Sequence, residues 1–476
     1  MQLPLVEPAP IIVEHAHVFR DLFENRRQFR HFQNYLTGLI VLDNKSMANM
    51  SRCILDSADK TNLSRFFSDA EWFQEAVNTR RIEYLLEQTE VQQVPAEESC
   101  LIVDDTLCEH VGSLFEYIDQ HYNHSDNTYP LAHNLVTSHY LSGAVRFPVD
   151  VRLYRRYEEV TQWETFVKKH FPEREIPRQK KGREKLHNAV DPLLLQDPEF
   201  RTLAAEFQTK IALAGELIEQ ALARNLPFQT VLMDSWFLSP DLVAVLTRHH
   251  KDWISLIKKN RNLEVASFTV RDAQGQAIPV KGPHIKVDKL VSLLPPMAYK
   301  PVTVADTTYY CFTKSVRIPS LGRVRMVICF GNPELTGTYA VLVTNRRDWT
   351  AKQILQRYLQ RWPIETFYQD GKGHLGLAAY RMRTAEAIKK HWCLVFVAYS
   401  LVHLECLPTV PVAGTGTLPA HPIKTIGEVC RQQVQALIQA LILFAHQLLQ
   451  QGESAQEVFA KLFAKQQAFV TSWHSP

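Results

Sequence analysis

The segment YLQRWPIETFYQDGK, from Tyr358 to Lys372, sets Tyr358, Arg361, Glu365 and Lys372 at offsets of 0, 3, 7 and 14. On a continuous helix, at about 100° per residue, these four side chains fall within about 60° of one another. A carboxylate flanked by two cations and a phenol suits a metal-bound phosphodiester: the carboxylate grips the ion while Arg, Lys and Tyr meet phosphate oxygens. The same pattern also describes a solvated helix face with an ordinary Arg361–Glu365 ion pair. Pro363 adds a constraint, because it removes one helical hydrogen bond just before Glu365. A kink or a helix start near Trp362 would move Tyr358 off the shared face more than Lys372.

Two upstream segments shift the balance toward chemistry. Leu101, Ile102 and Val103 run into Asp104, Asp105 and Thr106, and Thr230, Val231, Leu232 and Met233 run into Asp234. Short apolar, β-branched runs read as buried strands, so the acidic residues at their ends belong at the edge of a sheet. Neighbouring strands would bring Asp105 and Asp234 together, with Glu365 approaching from a helix packed beside them. Three carboxylates in one place repel unless a cation separates them, and an all-oxygen set favours Mg2+, with Mn2+ as a substitute. Two such ions, about 3.5–4 Å apart, activate one oxygen and stabilise the leaving one in an in-line phosphoryl displacement. Asp104 competes with Asp105 for the first ligand position, and alternation along the strand turns the two to opposite faces.

On these motifs the chain resembles the DDE transposases of bacterial insertion sequences, in the subclass with a Y-(2)-R-(3)-E-(6)-K signature. Tyr358, Arg361, Glu365 and Lys372 fit that spacing without a gap. LIVDDT and VLMDSWF are similar to the first and second aspartate motifs, and HLGLAAYRMRTAEAIKKHW is similar to the stretch after the family glutamate. The family ligand usually precedes a threonine directly, which selects Asp105. The resemblance implies a ribonuclease-H-like core with Asp105, Asp234 and Glu365 as catalytic magnesium ligands. It further implies cutting at terminal inverted repeats, transfer of the freed 3′ ends to target DNA, and a homodimer on paired ends. A family tryptophan that stacks on a flipped base has no counterpart, since residues 261–345 contain no Trp. Tyr309, Tyr310 or Phe312 could stack instead, or be core residues of a β insertion. A catalytically silent DNA-binding relative and a ribonuclease-H-like nuclease without strand transfer are the alternatives.

The elements that would position these residues come in a consistent order. After the first strand, LVTSHYL, a Ser142-Gly143 turn and AVRFPVDVRLYRRY read as a hairpin, since Val145, Phe147, Val149, Val151 and Leu153 alternate with polar or Pro positions. A helix from about Phe200 to Asn225, the strand TVLMD, a short helix near Pro240 to His250 and the strand WISLI come next. The predicted fold class is therefore α/β, a ribonuclease-H-like mixed sheet with flanking helices and a β-rich insertion before the last catalytic helix. Its expected parts are a helical DNA-binding region at 1–95, the core at 96–260 and 346–405, the insertion at 261–345, and a linker with a helical region at 406–476. In the N-terminal part, two periodic segments around SADKTN suggest helix, turn, helix, with Arg52, Lys60, Asn62, Ser64 and Arg65 facing DNA, or else a plain bundle. Past the Pro- and Gly-rich residues 407–423, Cys430, Val434, Leu437, Leu441, Phe444 and Leu448 form a heptad-like stripe that either dimerises or packs on the core.

Composition bounds the reading. The 476 residues are 46% hydrophobic and 22% charged, as in globular proteins. No apolar stretch is long enough for a spanning helix, the N-terminus lacks a basic-then-apolar secretion pattern, and the eight Cys are scattered without zinc spacing. A reducing cytoplasm, in association with the nucleoid, and no membrane partner are the expectations. Net charge is only +3, so its distribution carries the DNA argument. Residues 168–185 hold eight Lys or Arg against three Glu and read as a basic, flexible excursion that could track a DNA backbone through Lys180, Lys181 and Arg183. Lys258 and Lys259 form a second basic group after WISLI.

Overall fold

The protein is described by a computed structural model over residues 3–55, 60–407 and 422–472. Its strands are β1 (Ser99–Glu109), β2 (Asp119–Gln120), β3 (Leu131–Ser142), β4 (Val145–Tyr154), β5 (Thr230–Met233), β6 (Asp252–Leu256), β7 (Asn262–Glu264), β8 (His284–Lys286), β9 (Lys300–Val304), β10 (Thr307–Ile318), β11 (Gly322–Phe330) and β12 (Tyr339–Thr344). Ten of them make one mixed sheet, in which β4 pairs with β3 and the order continues β3-β1-β5-β6-β12-β11-β10-β9. β1 lies antiparallel to β3 and parallel to β5, which is parallel to β6. A hairpin followed by two parallel crossover strands is the ribonuclease-H-like arrangement expected from the sequence, and the fold class is as read.

Strand alternation divides the core into two layers. Leu101, Val103, Val231 and Met233 face the helix Lys210–Ala223 through Leu213, Leu217 and Ile218. Cys100, Ile102, Leu232 and Ile254 face the opposite layer, which contains Ile364, Phe367 and the helix Ala385–Cys406. That helix is apolar almost all round, as a helix covered on every side must be.

Two expectations change in the folded chain, and one pair of alternatives narrows. The insertion does bear β structure, but β12 pairs antiparallel with β6, so β9 to β12 extend the catalytic sheet rather than stand apart from it. Tyr309, Tyr310 and Phe312 lie on β10 and are half-buried against the two layers, which favours the core reading for them. Residues 168–185 are not simply a flexible excursion: the helices Trp163–His170 and Lys180–Leu194 take in half of them and pack around Trp163, Phe166, Leu186, Val190, Leu194 and Phe200. Leu186, Val190 and Leu194 recur every fourth position, an apolar stripe that the density of charge had masked.

The N-terminal helices share the main core instead of forming their own. Phe19, Phe32, Tyr35, Leu63, Phe66 and Phe67 belong to one apolar cluster with Trp392, Leu394 and Val429. Helices Met47–Cys53 and Lys60–Ser68 flank residues 56–59, which lie outside the described residues, as do 408–421 of the expected linker. Of the heptad stripe, Cys430, Leu437 and Leu441 are buried, the first two in the main core. Leu441, Phe444 and Leu448 pack with Val458 and Leu462 of the last helix, so the stripe is used within the chain.

Two histidines beneath the sheet carry a cost in acid. His391 lies between Tyr35 Oη at 2.8 Å and the Gly376 carbonyl at 3.0 Å, and His403 Nε2 accepts the Arg146 N–H at 3.1 Å. Burial lowers His391 from 6.5 to about 4 and His403 to about 3. The native state keeps both neutral while the unfolded chain takes up protons below about 6.5, so their stabilisation is complete above that pH and is lost as pH falls toward 4. Urea unfolding at pH 7.5 and pH 5.0 should show a loss of about 2 kcal/mol from each, and a His403→Asn variant should show a shallower pH dependence.

Candidate functional site

The acidic residues gather where the parallel strands end. The β1–β5 register runs from Cys100 opposite Thr230 to Val103 opposite Met233, so the next pair along it is Asp104 and Asp234. β5 stops at Met233 while β1 continues to Glu109, which opens both faces of β1 beside Asp234. Asp104 and Asp105 point to opposite faces, as alternation requires. Asp104 pairs with Arg361, and Asp105 with Lys210 Nζ at 2.7 Å. The Trp236 N–H donates to Asp234 Oδ1 at 2.6 Å and fixes that carboxylate at the turn.

The signature segment is two helices rather than one. Ala351–Leu359 ends before Arg361, and Trp362–Gly373 begins with Pro363 in its first turn, where a missing N–H costs nothing. The single-helix argument therefore fails for Tyr358, as the proline allowed, yet the four residues still converge. Tyr358 Oη is 3.5 Å from the Met233 carbonyl, next to Asp234. Arg361 bridges Asp104 and Glu365, the latter at 2.8 Å. Lys372 Nζ donates to Thr106 Oγ1 at 2.8 Å, so the helix lies along the even-numbered face of β1. Glu365 sits in the helix's first turn, where the peptide dipoles favour a carboxylate.

A cavity of about 730 Å³ joins these groups, and Asp105, Asp234, Glu365, Tyr368 and Lys372 are among its lining residues. Burial pushes the Asp104 carboxyl up to about 7, with Asp234 and Asp105 adding to the rise against Arg361. Burial also raises Asp234, helped by Asp105 and opposed by the Trp236 N–H and Arg361. Burial works against the Arg361 charge, but Asp104, Tyr358 and Glu365 together outweigh it and hold the guanidinium protonated. Burial raises Tyr358 as well, so it stays a neutral phenol. Asp104 and Asp234 are thus destabilised when ionised, and the carboxylates gathered here offer only oxygen donors, which fits a hard divalent cation. The carboxylates of Asp105, Asp234 and Glu365 nevertheless stand wider than a single ion would draw them. Among the described residues, the trio whose ligand atoms all lie within 4.8 Å is a different one, Glu14, His15 and Glu405.

Of the other expected DNA contacts, Lys180 and Lys181 are exposed at the start of their helix. Arg183 instead pairs with Glu158 at 2.6 Å and Glu164 at 2.7 Å within the helical unit. Lys258 lies over the Trp236 ring at 4.3 Å and Lys259 over Tyr339 at 4.0 Å. Sequence reasoning missed Lys210, which reaches Asp105 from a helix start remote in sequence, and Trp236, a residue 58% exposed at the cavity wall. Its place two residues after Asp234 was a usable signal for Trp236; nothing local marked Lys210.

The fold and site together define a ribonuclease-H-like protein with an acidic centre at the C-terminal ends of its parallel strands. A family model described as DDE superfamily endonuclease matches residues 18–306, and the chain belongs to that family. The match takes in both aspartate motifs and stops short of Glu365. No curated protein matches the chain. The family is one of endonucleases, for which DNA is the implied substrate. Among the described residues no helix is long and apolar enough to cross a membrane.

Removing one partner of a buried ion pair leaves the other charge stranded. Arg361→Ala should cost about 3–5 kcal/mol in urea unfolding, and adding Asp104→Asn to it should return part of that loss.

Proposed function

We propose that the chain is a magnesium-dependent DDE transposase of the Y-(2)-R-(3)-E-(6)-K subclass, cutting insertion-sequence ends and joining their 3′ ends to target DNA. The observation that carries this reading is that Asp105, Asp234 and Glu365, from three separate segments, line one cavity with Lys372. The three carboxylates would hold the divalent ions, which supply Lewis-acid polarisation of the phosphate and an activated oxygen nucleophile. The chain's own cations do the positioning. Lys210 and Arg361 neutralise Asp105 and Glu365 at rest, and a bound phosphodiester gives each an alternative anionic partner. Lys372, turned toward β1 by Thr106, would meet a phosphate oxygen as a compact point charge. Tyr358 stays protonated, so it donates a hydrogen bond rather than repelling the backbone. Trp236 offers a flat apolar face to an unpaired base beside the scissile strand. A homodimer holding two inverted repeats completes the reading.

The test is Mg2+-dependent cleavage of DNA bearing the flanking repeats of the source element. Asp105→Asn, Asp234→Asn and Glu365→Gln should abolish cutting and keep DNA binding, whereas Asp104→Asn should retain cutting. The opposite result for the two neighbouring aspartates would move the first ligand to Asp104. Tight binding without cutting by the wild type would mark a silent relative, and cutting without joined products a nuclease. Separately, Lys180→Ala with Lys181→Ala should lower the log–log salt slope of DNA binding by about 2 and leave the melting temperature unchanged. Arg183→Ala, which breaks two ion pairs, should lower the melting temperature instead.

A further inference from the structure

Glu14, His15 and Glu405 meet where the helix Pro10–His15 and the C-terminal end of Ala385–Cys406 come together beside the helix Gln74–Thr89. His15 is 7% exposed. Its Nε2 lies 3.7 Å from a Glu405 carboxylate oxygen and has no hydrogen-bond partner among the described residues. A buried ring nitrogen turned toward two carboxylates and unsatisfied by hydrogen bonding is costly unless something accepts its lone pair. On the other side of the ring, Nδ1 is 2.8 Å from Tyr84 Oη. With Nδ1–H donating to that oxygen, the lone pair of Nε2 faces Glu14 and Glu405. An outer hydrogen bond that fixes the imidazole tautomer is the support metal-bound histidines commonly have.

We propose that Glu14, His15 and Glu405 form a second divalent-cation site, selective for a borderline transition metal such as zinc, that clips the N-terminal segment to the end of the long apolar helix. One imidazole and two carboxylates favour zinc over magnesium, which prefers oxygen donors alone. The 3.7 Å between His15 Nε2 and Glu405 is close to the roughly 3.3 Å between ligand atoms on a tetrahedral zinc. Glu14 is exposed and Glu405 half-buried, so both carboxylates can close on an ion while the buried imidazole stays in place. His15 and Glu405 each end or nearly end a helix, where the peptide dipoles also favour a cation. The site is separate from the DDE cavity and shares no residue with it.

The experiment uses the full chain with Asp234→Asn and Glu365→Gln, so that the acidic cavity does not compete. Zinc is titrated by calorimetry and by thermal melting, with cobalt(II) as the visible-absorbing stand-in. One zinc per chain, a melting temperature raised by a few degrees, and a cobalt spectrum with a nitrogen ligand are expected. Glu14→Gln with Glu405→Gln, which leaves the buried His15 and Tyr84 undisturbed, should weaken zinc binding by two orders of magnitude or more. Tyr84→Phe should weaken it about tenfold without changing stoichiometry. Zinc binding unaffected by the paired glutamate substitutions, or no binding at micromolar zinc, would overturn the proposal.

Discussion

Repulsion among carboxylates at one sheet edge is the constraint around which the site is built. Asp104, Asp105, Asp234 and Glu365 converge where β5 has ended and β1 continues, and burial makes ionisation of Asp104 and Asp234 costly. The chain offsets this with cations drawn from three places. Lys210 comes from the helix after the basic helical unit, Arg361 from the break before the glutamate helix, and Lys372 from that helix's end. Lys210 holds Asp105, Arg361 holds both Asp104 and Glu365, and Lys372 is tied to the Thr106 hydroxyl, so the resting site is held by its own side chains.

This balance explains why the glutamate helix is interrupted. Pro363 starts a new helix and leaves Arg361 at its cap, from which one guanidinium reaches both Asp104 on the sheet and Glu365 four residues ahead. A continuous helix would fix Arg361 on the face of Glu365 alone. Because the guanidinium is a planar fork, it can serve two carboxylates at once, which a lysine ammonium does less well.

Holding these charges in place demands a stiff frame. The catalytic sheet is extended on one side by β9 to β12, and its lower layer is continuous with the N-terminal helices through the helix Ala385–Cys406. A reorientation of the N-terminal region would therefore have to break core packing, including the contacts of Tyr35 and His391. The helical unit around Trp163 has a separate small core and carries exposed Lys180 and Lys181 at its surface. Rigid support for the chemistry and an appended basic unit are thus distinct parts of the molecule.

Local sequence determined a good deal of this protein. The apolar runs ending in Asp104, Asp105 and Asp234, the alternation in Val145 to Leu153 and the spacing of Glu365 and Lys372 identified the strands, the helix and the convergent acids. Those signals are short-range: period, propensity and a proline. Tertiary structure alone decided that β12 would join β6, that Lys210 would reach Asp105, and that Arg361 would bridge Asp104 to Glu365. These pairings join residues far apart in sequence, and no periodicity encodes them. The basic stretch shows the same division, since its charge was visible in composition. Its helices depended on a small apolar core whose members, from Trp163 to Phe200, meet only when folded.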